Sequence, residues 1–347
     1  MLNHLWRWLR GRPRSAARPN RSARLSLESL EERAVPAFVN PPNIITGPDT
    51  GLAPQVRVFN SLTGTQQISF VPAPTQFSTG VRVAVGDVDG DGVPDIITAA
   101  GPGRPPTVNV YSGQSLALLV SFLAFSSRNR AGVYVAVGNF DSDASLEIIA
   151  GAGNVPRVRI FNIAGNSAVQ IPGPLGNILV SRTKANPGVR VAAGDVDGQP
   201  GDELIAALGK GTSPRVNVYN TNGALITTFF AYGTSFTGGV YVAAGDVNND
   251  GRDEIIAGPG SGVSTIRVFN GTGGQVLTFQ AFESTFLGGA RVAVTDGNGD
   301  GLADIVVGRG PGASPEVIVV DGRSLAQLNS FFAFDQSFTG GVFVAGT

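Results

Sequence analysis

Five short segments hold most of the carboxylates that could do chemistry: DVDGDGVPD (87–95), NFDSDASLE (139–147), DVDGQPGDE (195–203), DVNNDGRDE (246–254) and DGNGDGLAD (296–304). Their 45 positions contain 18 of the 23 acidic residues beyond residue 40, so the acids are concentrated for a purpose. Oxygen-bearing side chains recur at positions one, three, five and nine. They are Asp87, Asp89, Asp91 and Asp95; Asn139, Asp141, Asp143 and Glu147; Asp195, Asp197, Gln199 and Glu203; Asp246, Asn248, Asp250 and Glu254; Asp296, Asn298, Asp300 and Asp304. Calcium takes about six to eight oxygen ligands, and a loop offering one at every second residue wraps it well. Unpaired, these carboxylates would repel one another, and a divalent cation offsets that repulsion. Position six needs a sharp turn, which Gly92, Gly251 and Gly301 supply. Pro200 and Ala144 stand there in the other two loops. The expectation is up to five calcium sites, strongest at 87–95, 246–254 and 296–304. The 139–147 loop, opening on Asn139, is expected to be weakest.

Other chemistry has little to build on. The chain has 347 residues, no Cys and one His, His4. A thiol nucleophile, a disulfide or a thiolate metal site is therefore excluded. A Ser–His–Asp triad would have to rest on His4. The Gly-rich stretches GPGRPP (101–106) and GKGTSP (209–214) lie between strand patterns with no helix to follow, so they read as turns rather than phosphate cradles. Outside the five loops the acids Asp49, Glu283, Glu316, Asp321 and Asp335 are scattered, whereas glycoside hydrolysis needs a spaced pair. No catalytic residue and no organic cofactor are assigned. The alternative is a lyase or hydrolase acting on polysaccharides, which would gather free acids, Arg and Tyr in a central channel.

The loops sit inside a repeat. The phrases VRVAVGD, VYVAVGN, VRVAAGD, VYVAAGD and ARVAVTD end at Asp87, Asn139, Asp195, Asp246 and Asp296, spaced by 52, 56, 51 and 50 residues, and a sixth begins at Val342. After each loop comes an apolar strand pattern such as EIIAGPG at Glu254, then one such as RVNVY at Arg215, then an aromatic stretch such as TFFAY at Thr228. Alternation, β-branched residues and the 48 Gly and 22 Pro all argue for short strands. Four strands per unit of this length is the mark of a propeller blade. The expected fold is all-β: a six-bladed β-propeller of four-stranded blades over residues 44–347. Strands from the two ends, 44–70 and 341–347, share the closing blade and so remove exposed edges.

A second pattern supports an even blade number. The second residue of strand one runs Arg82, Tyr134, Arg190, Tyr241, Arg291, Phe343, and the middle of strand three runs Asn109, Arg159, Asn217, Arg267, Ile318, Arg57. Each blade thus carries one Arg at one of two positions, and the type alternates around the ring. Arg–aromatic packing is expected, with Arg57 and Phe343 joining in the closing blade.

Strand–DxDxDGxxD–strand–GxG units resemble the FG-GAP (VCBS) repeats of integrin-α-type propellers. FTGGVYVAAGD (236–246) and EIIAGPG (254–260) stand where that family has its naming motifs. The resemblance covers about 45–347 and implies calcium in the loops on one propeller face and, commonly, an extracellular adhesion or binding role. Integrins have seven blades, so no integrin ligand site is carried over.

Residues 1–40 differ in character. They hold eight Arg and three Glu, and read as a basic, disordered leader or export segment. Its 27–37 stretch, LESLEERAVPA, resembles one near the start of many secreted bacterial proteins. No apolar run is long enough to span a membrane. An extracellular or cell-surface location is expected, and no nucleic-acid partner. In a four-stranded blade the loops between strands one and two share a face with the calcium sites. The opposite face then carries Arg104, Arg128, Arg130, Arg182, Lys184, Lys210 and Arg309. It is mildly basic, and an anionic polysaccharide or a surface protein is the expected partner.

Overall fold

The computed structural model describes residues 42–72, 79–141, 143–183, 185 and 187–347. The basic leader (1–40), including His4, and Lys184 lie outside the described residues. Six antiparallel sheets follow one another along the chain. Blade one has strands Val81–Gly86, Asp95–Ala100, Thr107–Tyr111 and Leu118–Leu123, counted from the axis outwards. Blades three, four and five repeat that order from Val189, Val240 and Ala290. No helix occurs among the described residues.

Blade six is composite, as the sequence pattern requires. The C-terminal strand Val342–Gly346 is innermost and pairs with Asn43–Pro48, followed by Val56–Asn60 and Gln66–Phe70. Ile44 faces Gly346 and Ile45 faces Ala345 in this register. The seam ends in paired bonds, with Asn43 N–H donating to Thr347 Oγ1 at 2.9 Å and Thr347 N–H to the Asn43 carbonyl at 3.1 Å.

Burial explains the strand sequences. Every second strand is covered on both faces by neighbouring blades, hence its continuous apolar run rather than an alternating one. Ile96 and Ile97, Ile148 and Ile149, Leu204 and Ile205, and Ile255 and Ile256 are fully buried. Each such side chain contributes about 1.5–3 kcal/mol of hydrophobic stabilisation. Outer strands such as Gln275–Gln280 alternate exposed and half-buried. Blades approach so closely that a Cβ on Gly151 would stand 2.4 Å from the Val189 carbonyl oxygen of the next blade.

Blade two departs from the expected outline. Its outer position is filled by two short strands, Ser167–Gln170 and Asn177–Leu179, both pairing with Arg157–Ala164. The connection to blade three therefore begins only after this second piece. Pro172 and Pro174, which lack a backbone donor, stand in the interruption.

The two arginine sets also separate. Arg57 does not stack on Phe343. Its guanidinium lies 5.0 Å from the Phe334 ring centre, and Nη1 donates to the Ala333 carbonyl at 3.1 Å. Arg159 treats Phe125 and Ala124 in the same way, and Arg267 treats Tyr232 and Ala231. Each strand-three arginine thus clamps the chain leaving the preceding blade. Phe343 points to the axis instead. A double-mutant cycle on thermal stability should give Arg57 and Phe334 a coupling of about 0.5–1 kcal/mol. Arg57→Ala and Phe343→Ala should add within about 0.5 kcal/mol; a larger coupling there would contradict this division.

Candidate functional site: acidic loops and the propeller axis

Each acidic loop joins an inner strand to the second strand, and its last carboxylate begins that second strand. Asp95, Glu147, Glu203, Glu254 and Asp304 are at most 2% exposed. Each turns back to accept the N–H of loop position two, from Val88, Phe140, Val196, Val247 and Gly297, at 3.2, 2.8, 3.1, 3.2 and 2.9 Å. The first carboxylate shapes the turn. Asp87 accepts the N–H groups of Gly90 and Gly92 at 2.7 and 2.8 Å, and Asp296 those of Gly299 and Gly301 at 2.8 and 3.0 Å. Gly92 and Gly301 have φ of +84°, where a side chain would be strained. Pro200 has no N–H to give at position six, so of these two turn bonds Asp195 keeps the position-four one, from Gly198 N–H at 2.7 Å.

Three loops draw three carboxylate oxygens within 4.8 Å of one another: Asp87, Asp89 and Asp91; Asp141, Asp143 and Glu147; Asp195, Asp197 and Glu203. The second of these is the loop expected to be weakest. Its Glu147 Oε1 is buried without a hydrogen-bond partner. In the 246–254 and 296–304 loops, expected to be among the strongest, asparagine at position three intervenes. Asn248 Nδ2 donates to Glu254 at 2.7 Å, and Asn298 Nδ2 to Asp300 and Asp321 at 3.1 and 3.2 Å. Gln199 turns its amide to the Gly198 carbonyl at 3.3 Å.

Burial, reinforced by neighbouring acids and opposed by the backbone donors, pushes the carboxyls of Asp95, Glu147, Glu203 and Glu254 up to about 7. Asp304 rises to about 6 for the same first reason. These loops thus hold carboxyls whose ionisation is disfavoured until a positive charge arrives. Hard oxygen donors, crowded acids and an orphaned buried carboxylate oxygen fit calcium.

Two acids were not singled out by the sequence spacing. Asp202 accepts the Asn139 N–H of the preceding loop at 2.8 Å. Asp253 is raised to about 6, by burial and then by Asp202. Both occupy loop position eight, whose N–H donates to the first carbonyl of the preceding loop. Leu146 to Asp87, Asp202 to Asn139, Asp253 to Asp195 and Ala303 to Asp246 do so at 2.8, 2.7, 2.7 and 3.0 Å. The cue is visible only as two extra acids, because the link itself is backbone.

On the opposite face, Arg128, Arg130, Arg182 and Lys210 are exposed. Arg309 is committed elsewhere, pairing with Glu283 at 2.6 Å and Glu316 at 3.0 Å over the rings of Phe282 and Phe286. Arg104 is half-buried.

The strand-one alternation becomes a ring at the axis. Tyr134, Tyr241 and Phe343 meet edge-to-face with ring centres 6.1 to 6.4 Å apart. Arg82 stacks against Tyr134 and Phe343, Arg190 against Tyr134 and Tyr241, and Arg291 against Tyr241 and Phe343, all at 4.9 to 5.4 Å. Towards the acidic face the channel wall is apolar, made by residues such as Val85, Val137 and Ala193.

Comparison with known proteins agrees with this architecture. The FG-GAP-like repeat family model matches residues 246–307, and the FG-GAP repeat model matches residues 79–118. No curated protein sequence matches the chain. Among solved structures, a Bacteroides caccae protein of unknown function is similar with a TM-score of 0.55 at 12% identity, over 88% of this chain and 98% of that one. The Vibrio cholerae biofilm matrix protein Bap1 gives 0.41 at 19% identity, over 75% of this chain and 40% of that one. A Bacillus licheniformis rhamnogalacturonan lyase gives 0.43 at 16% identity, over 85% of this chain and 64% of that one. At these identities the likeness concerns the fold alone. With family matches falling on the acidic loops of blades one, four and five, and six four-stranded blades around one axis, the chain is an FG-GAP repeat protein with a propeller fold.

Proposed function

We propose that this protein is a calcium-stabilised propeller acting outside the cell or at its surface as a binding module. The observation that carries the calcium reading is the convergence of buried and crowded carboxylates in register, above all Glu147 with its unpartnered Oε1 beside Asp141 and Asp143. Calcium would hold the end of each inner strand to the start of the next. The mildly basic loop face supports an anionic polysaccharide or surface protein as partner, through Arg128, Arg130, Arg182 and Lys210. No ion pair engages these four among the described residues. A second reading, a polysaccharide lyase or hydrolase, is favoured by the Arg and Tyr side chains gathered in the axial channel. The acid nearest them, Asp49, is held by Arg291 at 2.7 Å. Turnover of uronate-containing polymers, followed by new reducing ends, would establish that reading.

Calcium addition to dialysed protein should raise the melting temperature. One site at a hundredfold its Kd adds about 2.7 kcal/mol, on the order of 4 °C in a fold of this size. No shift at neutral pH would remove the calcium reading. Substituting both Asp87 and Asp89 by Ala should lower the calorimetric stoichiometry by one.

The pH dependence follows from the raised carboxyls. Their folded values of about 6 to 7 lie above the ordinary unfolded ones of roughly 4. The metal-free fold therefore binds extra protons, and these groups stabilise it most at low pH. That contribution is lost as pH rises from about 4 to about 7. Calcium needs the ionised groups, so its effect grows over the same window. The melting-temperature gap between calcium-loaded and calcium-free protein should widen from pH 5 to pH 8. A constant gap would show that these carboxyls are not the ligands.

A further inference from the structure

The axial ring brings three guanidinium groups to one recess, and the charges do not balance. Arg82 and Arg291 are 6% and 4% exposed. One carboxylate reaches the ring among the described residues: Asp49, 2.7 Å from Arg291 Nη2. Arg82 and Arg190 share Tyr134 between them, at 5.1 and 5.0 Å from its ring centre. Aromatic faces attract the cations, worth about 0.5–2 kcal/mol each. They accept little from the N–H edges. Accordingly Arg82 Nε and Nη1, Arg190 Nε, and Arg291 Nε and Nη1 are buried with no hydrogen-bond partner, and of the three only Arg291 has a carboxylate beside it among the described residues. Buried charge is ordinarily paired, because taking it from water without a counter-charge is expensive.

The recess has the right character for a counter-charge. It is a cavity of about 60 Å³ lined by the three arginines, Tyr134, Tyr241 and Phe343. That is room for about two waters at liquid density, or for one small oxyanionic group. The ring occupies the second residue of each inner strand, so it lies near the end where the basic-face loops enter. Below it the channel is lined by valine and alanine.

We propose that this recess is an oxyanion site, in which Arg82 and Arg190 on either side of Tyr134 bind a carboxylate or sulfate group entering from the basic face. Arginine suits such a group because its planar fork donates two parallel bonds. The electropositive character is registered by Tyr134. Burial pushes its phenol up, but Arg190 and Arg82 beside it pull harder and bring it down to about 8. Tyr241, in an equivalent ring position but next to the Arg291–Asp49 pair, is raised, first by burial and then by Tyr134. The site is separate from the acidic loops and from the exposed cations of the loop face, so it stands or falls without the calcium and loop-face readings.

The test uses the full chain in excess calcium at constant ionic strength. Sulfate, acetate and galacturonate are titrated separately against chloride and followed by calorimetry. One saturable site is expected, and comparison of the three probes tells which oxyanion it prefers. Arg82→Gln and Arg190→Gln should each weaken binding about tenfold or more, as loss of a charge-assisted bond does, while substituting the exposed Arg323 by Gln leaves it unchanged. A second readout needs no arginine variant. Bound anion should shift a tyrosine ionisation upward by on the order of one pH unit, and Tyr134→Phe should abolish that component. Absence of saturable binding, or binding equal in both glutamine variants and in the unsubstituted chain, overturns the site. Should the glutamine variants fail to fold, an unmoved phenol in the unsubstituted chain overturns it equally.

Discussion

Closing the ring imposes one condition on every blade: six inner strands must bring the same side-chain position to the same axis. Six identical arginines there would repel, and six identical aromatics would overfill the channel. Alternation meets the condition, because each arginine stacks between two rings and each ring lies between two arginines. It closes without a mismatch only when the blade number is even. The composite blade obeys it through Phe343, which lies beside both Arg82 and Arg291 although it comes from the far end of the chain.

The same alternation governs the second shell of contacts. Blades that place an aromatic at the axis carry their arginine on strand three, where it reaches the backbone and ring of the preceding blade's exit. Blades that place arginine at the axis carry Asn109, Asn217 or Ile318 there. Asn217 still performs a bridging role, donating to the Val180 carbonyl at 3.1 Å. Three blade junctions are therefore fastened by an arginine clamp, and the junction before blade three by Asn217.

Most of the architecture could be read from the sequence because it is periodic. The repeat spacing gave blade number, the buried apolar runs gave the second strands, and the orphan strands at both ends gave the closing blade. The acidic loops were placed for the same reason. What could not be read is how side chains select partners across blades. Arg57 and Phe343 share a blade, yet they serve different contacts two strand spacings apart. The divided outer strand of blade two was missed because two short pieces, either side of Pro172 and Pro174, do not show a strand's alternation. The gathering in the 139–147 loop was also hidden. Pattern matching penalised Asn139 and Ala144, whereas geometry depends on whether Asp141, Asp143 and Glu147 can meet.

The belt joining the acidic loops gives the acidic face a coupling that the axial ring lacks. The first residue of a loop holds its turn with its side chain while its carbonyl accepts a bond from the next loop's eighth residue. A cation held by Asp87 would therefore tighten a residue to which Leu146 of the adjacent loop is tied. The adjacent loop's Glu147 follows Leu146 directly, so the tie ends one residue from a candidate ligand. The ring at the axis has no such backbone bridges, and its parts communicate through stacking and charge. One face of the propeller is thus held by directional bonds that pass from loop to loop, while the axis is held by electrostatic attraction among side chains. That division places charges of both signs in a single small fold, with crowded carboxylates on one face and clustered guanidinium groups at the axis.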